Sequence, residues 1–418
     1  MDEIRVLSLN TWGLKYVSQH RQVRLAAIAE RLARDAHRYD IVALQEVWVE
    51  SDYVTLSTLT KPYFAYQKLS YSGMLTGPGL LILSKWPIVD SFLYRFPLNG
   101  RPSAFFRGDW YVGKAVASTS IAHPSGTVIE VLNAHMHAPY GLGDAAYTCH
   151  RTAQAWDMAR LAARATKCGH LVVVVGDLNS RPDSLTHRLF ESVGGLSDAW
   201  VDRHGKFDGD IAQLTTLEQI KLAGTTCDSL LNTWRADRQH HEACRLDYIF
   251  YDSKLAFVTD ARVAWTEQIA GVGSYSDHFA IEVDLKLRPS PIKSSNTLIP
   301  ASLFEDILML IEEYRPTSQW QAKWRNAHFL ITIPVLVGLL ISVFWAARHN
   351  RPWAAFIFLF FTILVVFTGL LDGLMGFLFG RNEWRALKEF ESQVELVQVT
   401  QLHFNQSPSE ASSFRSIK

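Results

Sequence analysis

Cysteine is scarce in this chain, with four residues in 418: Cys149, Cys168, Cys227 and Cys244. They have neither the density of a disulfide scaffold nor paired zinc-ligand spacing, so ordinary thiols are expected. Net charge is absent as well, since 41 Lys and Arg balance 41 Asp and Glu and the sequence pI is near 7.3. No global basic field marks the chain for nucleic acid, although a local phosphate site is compatible with this balance. No apolar stretch of signal length precedes the strand-like segment at 4–9, and the body is therefore expected in the cytosol.

Charge is also missing from two long apolar runs, 329–347 and 353–371, which are separated only by Arg348, His349, Asn350, Arg351 and Pro352. Nineteen helical residues span roughly 28 Å, about the thickness of a hydrocarbon core. One such run can be the buried helix of a soluble protein, but two joined by a polar, Pro-containing turn favour a transmembrane hairpin. Trp324, His328, Trp345 and Trp353 sit near the run ends, where amphipathic rings favour headgroups. A hairpin returns the chain to its starting side. Lys323, Arg325, Arg381, Arg385 and Lys388 on the flanks outnumber Arg348 and Arg351 in the loop, which places the flanks and the body together in the cytosol.

Before the hairpin, residues 1–285 read as one large α/β body. Strands are expected at 4–9, 41–45, 79–84, 114–118, 127–134, 171–175, 246–250 and 279–285, with helices over 21–36 and 149–166. Residues 286–300 read as a linker rich in Pro and Ser. An amphipathic segment over 301–326 precedes membrane helix 327–347, loop 348–352 and a second membrane helix with its end at 353–379. A cytosolic amphipathic segment and disordered tail are expected over 380–418. The amphipathic stretches 303–314 and 387–402 either lie on the membrane or pair as extensions of the hairpin.

Polar residues recur at the ends of the expected strands. Asn10 ends the first and Glu46 follows the second. His137 lies just past the segment ending in Asn133 and Ala134, Asp177 and Asn179 follow a five-residue apolar run and Gly176, Asp247 lies in a later strand, and Asp277 and His278 precede the last. Each alone is compatible with a turn or a satisfied core group. Together they form a set of hard ligands and proton-transfer groups suited to phosphate chemistry, held in loops that a sheet can fix in one cleft.

Asn10-Thr-Trp12, Gln45-Glu-Val-Trp48, Gly176-Asp-Leu-Asn179, Asp247-Tyr-Ile249 and Ser276-Asp-His278 resemble the ordered motifs of the endonuclease/exonuclease/phosphatase superfamily, across nearly all of residues 1–285. Within it, Gly108-Asp-Trp-Tyr111, Gly113-Lys-Ala-Val116 and His135-Met-His137 are similar to the membrane-bound neutral sphingomyelinases and inositol phosphosphingolipid phospholipases C. The resemblance implies a four-layer α/β/β/α sandwich followed by the two-helix hairpin, in a two-pass protein of the endoplasmic reticulum or another internal membrane. It implies Mg²⁺-dependent phosphodiester hydrolysis of sphingomyelin or a related ceramide phosphodiester, releasing ceramide and a phosphorylated headgroup. Inositol phosphosphingolipids and lyso-choline phospholipids are the alternative substrates.

Roles follow from chemistry and from that resemblance. Glu46 is the expected direct Mg²⁺ ligand, with Asn10 as an oxygen donor or a holder of metal-bound water. His278 is expected to accept a proton from water, with Asp277 orienting the site. His137 is expected to bind a phosphoryl oxygen or assist the leaving oxygen, with Asp247 orienting it, and Asp177 and Asn179 to position water and phosphate. His135 shares a strand face with His137 but lacks further zinc ligands at convincing spacing, so it is read as strand support. Gly108 to Lys114 has the spacing of a nucleotide phosphate loop, yet Ala115 replaces the Ser or Thr, and Trp110 and Tyr111 are too bulky to cradle phosphate. Asp109 and Trp110 are instead substrate-binding candidates, and Lys114 is one for substrate or for an anionic phospholipid activator; an exposed strand-entry turn is the plain alternative. Trp12 and Trp48 are compatible with headgroup contacts or with packing. A nuclease on this fold would need a cationic track, a non-catalytic scaffold would not need the complete polar set, and an inositol-lipid phosphatase would need a basic clamp. A membrane sphingolipid is thus the expected partner, nucleic acid is not, and the sequence sets no oligomeric state.

Overall fold

The computed structural model describes residues 2–73, 75–292 and 298–406. Part of the expected linker, 293–297, and the expected tail from 407 lie outside these. The chain divides into two compact units, the first built from residues up to Gly100 and from Arg107 to Pro300, the second from Arg101–Phe106 and the residues from Ala301 onward.

Two six-stranded sheets form the first unit. One runs in the order β11 (Ala256–Ala264), β14 (Ala280–Leu287), β1 (Glu3–Asn10), β2 (Ile41–Gln45), β4 (Leu81–Ser84), β3 (Tyr66–Leu69). The other runs β5 (Ile88–Arg95), β6 (Ala115–Ala122), β7 (Val128–His135), β8 (Leu171–Asp177), β10 (Asp247–Tyr251), β9 (Ser197–Asp198), and a short ribbon pairs β12 (Gln268–Ile269) with β13 (Gly273–Ser274). The pleat sorts side chains by layer. Ile4 and Val6 of β1 meet Ile129, Val131, Val173 and Ile249 of the second sheet in the inner core. Leu7 and Leu9 point the other way, onto Leu25, Ile28 and Leu32 of α1 (Arg21–Arg34) and Leu56 of α2 (Glu50–Thr60). After α3 (Asp109–Val112), α4 (Thr148–Lys167) packs on β7 and β8 and against α5 (Leu185–Ser192). Both α6 (Ala199–His204) and α7 (Thr216–Ala223) pack at β11. This is a four-layer α/β/β/α sandwich.

Two parallel pairs, β1 with β2 and β7 with β8, bring four strand ends to one edge. Gly176 makes the second pairing feasible, since a Cβ there would lie 1.9 Å from the Ala134 carbonyl oxygen. Arg24 braces the same edge. Its buried guanidinium donates to the carbonyls of Gln19, Thr11, Tyr275 and Trp12, tying α1 to the segments after β1 and before β14.

In the second unit, α8 (Ala301–Arg348) is one continuous helix that turns back at Arg351 into α9 (Pro352–Leu374). A π-helical turn, Met375–Gly380, leads into α10 (Arg381–Gln406). The first half of α8 pairs with α10: Leu303, Phe304, Ile307 and Ile311 are buried, as are Leu387, Phe390 and Val394, and Arg315 bridges Glu391. The amphipathic stretches therefore extend the hairpin. Gly369, Gly373, Gly376 and Gly380 let α9 and the π turn approach Thr332, Phe329, Asn326 and Ala322 of α8 closely. Two apolar windows, in α8 and in the helical run Pro352–His403, are long enough to cross a membrane. Their side chains face outward, with Phe344, Phe356, Ile363 and Phe367 exposed, unlike a soluble core helix.

Arg24→Met keeps the volume near that of the stem but strands four carbonyls. We expect a loss of about 3 kcal/mol of stability, read as a lowered thermal midpoint of the purified protein in detergent; an unchanged midpoint would refute the bracing role.

Candidate active site

Asn10 lies at the centre of the strand-end edge. Its Nδ2 donates to Glu46 Oε1 and to Asp177 Oδ2, both at 3.0 Å, so one amide joins a carboxylate of each sheet. Its Oδ1 accepts from the Trp12 backbone N–H. Glu46 adopts a left-handed backbone, φ 61°, which turns its carboxylate back over the sheet edge, where the Trp48 indole N–H donates to it at 3.3 Å. Burial, and then the neighbouring Asp277, push the Glu46 carboxyl above its ordinary range.

Across the cleft, Asp247 pairs in register with Asp177 on antiparallel β10 and β8. Asp247 Oδ2 lies 2.8 Å from His278 Nδ1, and His278 Nε2 is 3.8 Å from Asp177 Oδ2 and 3.6 Å from Cys227 Sγ. Burial pushes the Asp177 carboxyl up to about 7. Burial opposes a charged His278, but Cys227, Asp247 and Asp177 outweigh it and hold the imidazole well above its ordinary value. This departs from the expected near-neutral histidine. Asp177 and His278, 3.8 Å apart, each bias the other's protonation. Asn179 is fixed by its backbone N–H to Asp177 Oδ1 and its Nδ2 to the Met136 carbonyl.

Two expectations need correction. Asp247 orients His278, not His137, because the β8–β10 register sets it beside Asp177. Asp277, expected to orient the site beside His278, instead pairs with Arg235 and accepts from Ser276, since adjacent extended residues face opposite ways.

His137 belongs to a second cluster. Its Nδ1 lies 2.8 Å from the Ala138 carbonyl and 3.3 Å from Asp109, while the ring stacks on Tyr147 at 4.0 Å. Burial holds it near 3, hence neutral. Asp109 also meets Lys114 Nζ at 3.2 Å and the Tyr140 hydroxyl at 2.8 Å. Lys114 is buried and donates to the Met136 carbonyl, the oxygen that also receives Asn179, so the two clusters share one backbone group. Trp110 packs edge-on against Tyr111.

His135 is closer to the chemistry than strand support implies. It stands opposite Asp177 in the parallel β7–β8 register, with Nε2 3.4 Å from Asp177 Oδ2. The period-two spacing to His137 was the available signal. Arg24, Arg235 and Cys227 had none, because they arrive from segments distant in the chain, Arg24 from α1.

The arrangement suits a hard cation. Asp247 Oδ1, His135 Nδ1 and Gln45 Oε1 are buried without a hydrogen-bond partner. Ligand atoms of Asp177, Asp247 and His278 lie within 4.8 Å of one another, and Glu46 adds a further carboxylate bridged to Asp177 by Asn10. Such oxygen-rich burial is costly without compensating positive charge.

The endonuclease/exonuclease/phosphatase family model matches residues 7–278, spanning every cleft residue described. The chain belongs to the endonuclease/exonuclease/phosphatase family. Over 94% of its length it is 45% identical to the inositol phosphosphingolipids phospholipase C of Saccharomyces cerevisiae, covering 89% of that protein. It is 40% identical to the protein of the same name from Schizosaccharomyces pombe, covering 94% of each. With human sphingomyelin phosphodiesterase 2 it shares 29% identity over 81% of this chain and 79% of that one. Within the family it falls in the branch that holds these phospholipases and the neutral sphingomyelinases.

A double-mutant cycle tests the corrected pairing. Asp247→Asn and His278→Ala should each lower phosphodiester turnover by about 10²-fold or more, with a combined loss far below the product. Asp247→Asn and His137→Ala should multiply. The reverse pattern would restore the pairing with His137.

Proposed function

We propose that this protein is a Mg²⁺-dependent phospholipase C of sphingomyelinase type, hydrolysing a sphingolipid phosphodiester to ceramide and a phosphorylated headgroup. The observation that carries this reading is the Glu46–Asn10–Asp177–His278–Asp247 chain of contacts in a family member that also bears two membrane-length helices. Inositol phosphate is the favoured headgroup on the 45% and 40% identities to inositol phosphosphingolipid phospholipases C, with sphingomyelin supported by the human relative.

Glu46 would hold the Mg²⁺, with Asn10 orienting Glu46 and a bound water. When present, the cation neutralises charge on the phosphoryl and leaving oxygens. The Asp177–His278 pair accepts the proton of the attacking water, and Asp247 fixes the imidazole at Nδ1 so that its Nε2 faces Asp177. Asn179 positions the phosphate. His137 rests neutral, and an adjacent phosphate anion raises its proton affinity, so that it can donate to the ceramide oxygen as the P–O bond breaks. Asp109 holds its ring in place.

For the membrane part, the body and the segment after Arg381 lie in the cytosol, with residues 348–352 on the opposite face of an internal membrane. Two crossings and the surplus of flanking cations support this arrangement.

Turnover of inositol phosphoceramide should vanish with chelator, return with Mg²⁺, and be nearly abolished in Glu46→Gln. Full activity of that variant or of metal-stripped enzyme would refute the metal assignment. In sealed vesicles whose cytosolic face is outward, protease should remove both the body and the tail; a protected tail beside a digested body would refute the topology.

A further inference from the structure

The loops that frame the cleft carry bare apolar tips. Tyr16 is 88% exposed and Val17 69%, in the loop after β1. Tyr71 and Leu75 are 55% and 72% exposed between β3 and β4, and Leu142 is 96% exposed after β7. Isolated exposed side chains are ordinary. These are set apart by where their loops begin. The first loop leaves from Asn10 and is bonded to it through Trp12 N–H. The second is tied at its foot by Val47 N–H to the Gly79 carbonyl, next to Glu46, and at its tip by Leu75 N–H to the Tyr111 carbonyl at 3.1 Å. The third is bonded through the Tyr140 hydroxyl to Asp109, the partner of His137. All three leave the sheets at the edge where the cleft residues gather.

We propose that these tips are a lipid-docking rim: they insert into the headgroup and upper acyl region of a bilayer and seat the cleft against the surface that contains its substrate. The proposal rests on the reading of the cleft as one acting on a membrane lipid. Several features favour a bilayer over a protein partner. The apolar groups are spread over three separate loops, a distribution that a fluid surface accepts without shape complementarity. The chain carries its own membrane-length helices, so a bilayer is continuously at hand. Lys15 Nζ sits 5.3 Å from the Tyr16 ring centroid, pairing a cation with an aromatic at one tip, which suits the polar side of a membrane interface. Because the foot of each loop is hydrogen-bonded to the cleft network, insertion would also steady the residues that meet the substrate.

Two readouts on the full-length protein in proteoliposomes test this. Cys168 is the exposed cysteine, and the other three are buried, so Leu142→Cys in a Cys168→Ser background accepts a single environment-sensitive fluorophore. Its emission should shift to the blue and be quenched by spin-labelled lipids. In parallel, Val17→Asp combined with Leu75→Asp and Leu142→Asp should lower turnover of vesicle-embedded inositol phosphoceramide about tenfold or more while leaving turnover of a monomeric short-chain analogue within about twofold, since no side chain of the clusters is altered. An unquenched label overturns the proposal. So does an unquenched label whose emission changes with protein-to-lipid ratio, which would assign the tips to a second copy of the chain. Equal turnover of the triple variant and the unmodified enzyme on embedded substrate overturns it as well. Should the unmodified enzyme cleave neither lipid, the assigned reaction fails, and the quenching measurement still decides the docking.

Discussion

The amide of Asn10 lies between two buried carboxylates that belong to different sheets, and the cleft depends on that bridge. Asn10 ends β1, Glu46 follows β2 beside it, and Asp177 ends β8 on the facing sheet. Beneath it, Gln45 Nε2 reaches Asn133 Oδ1 at 2.8 Å, again from one sheet to the other. Polar contacts at this depth are unforgiving, because each unpartnered group would cost about 1–3 kcal/mol. They therefore fix the spacing of the two sheet edges far more tightly than apolar packing of Ile4 and Val6 on Ile129 and Val173 could alone.

That same burial sets the electrostatics. Glu46, Asp177, Asp247 and Asp277 gather in a volume shielded from water, and Arg235 is committed to Asp277. His278 stands on the opposite side of the cluster, against Asp247 and Asp177. A group of carboxylates held this way gains from a divalent cation and gives up folding stability without one. The His137 cluster solves the problem differently, since Lys114 neutralises Asp109 at close range and His137 stays uncharged. The two imidazoles therefore differ in character although both stand beside an aspartate.

Much of this was legible in the sequence, for physical reasons. The central strands are buried on both faces and read as apolar runs, so the expected segments at 41–45 and 171–175 fall on β2 and β8. The polar residues that close such runs are conspicuous. By contrast, β5 is an edge strand whose residues are mostly half-exposed or exposed, and β11 mixes charge with apolar residues, so neither has a buried strand's pattern. The short helix α2 is rich in Ser and Thr and shows little amphipathic periodicity. Pairings were harder than members: nothing local in the chain distinguishes Asp247 with His278 from Asp247 with His137, because that choice is made by the register of β10 on β8. Arg24 and Arg235 act across 251 and 42 residues of chain and left no local trace.

The central claim is that these groups direct water at the phosphorus of a ceramide phosphodiester and release ceramide as the alcohol. Hydrolysis of inositol phosphoceramide in H₂¹⁸O, followed by mass spectrometry of both products, tests that claim most directly. The account predicts one ¹⁸O in the phosphorylated inositol and none in ceramide. Label in ceramide, or labelled ceramide phosphate with free inositol, would contradict it.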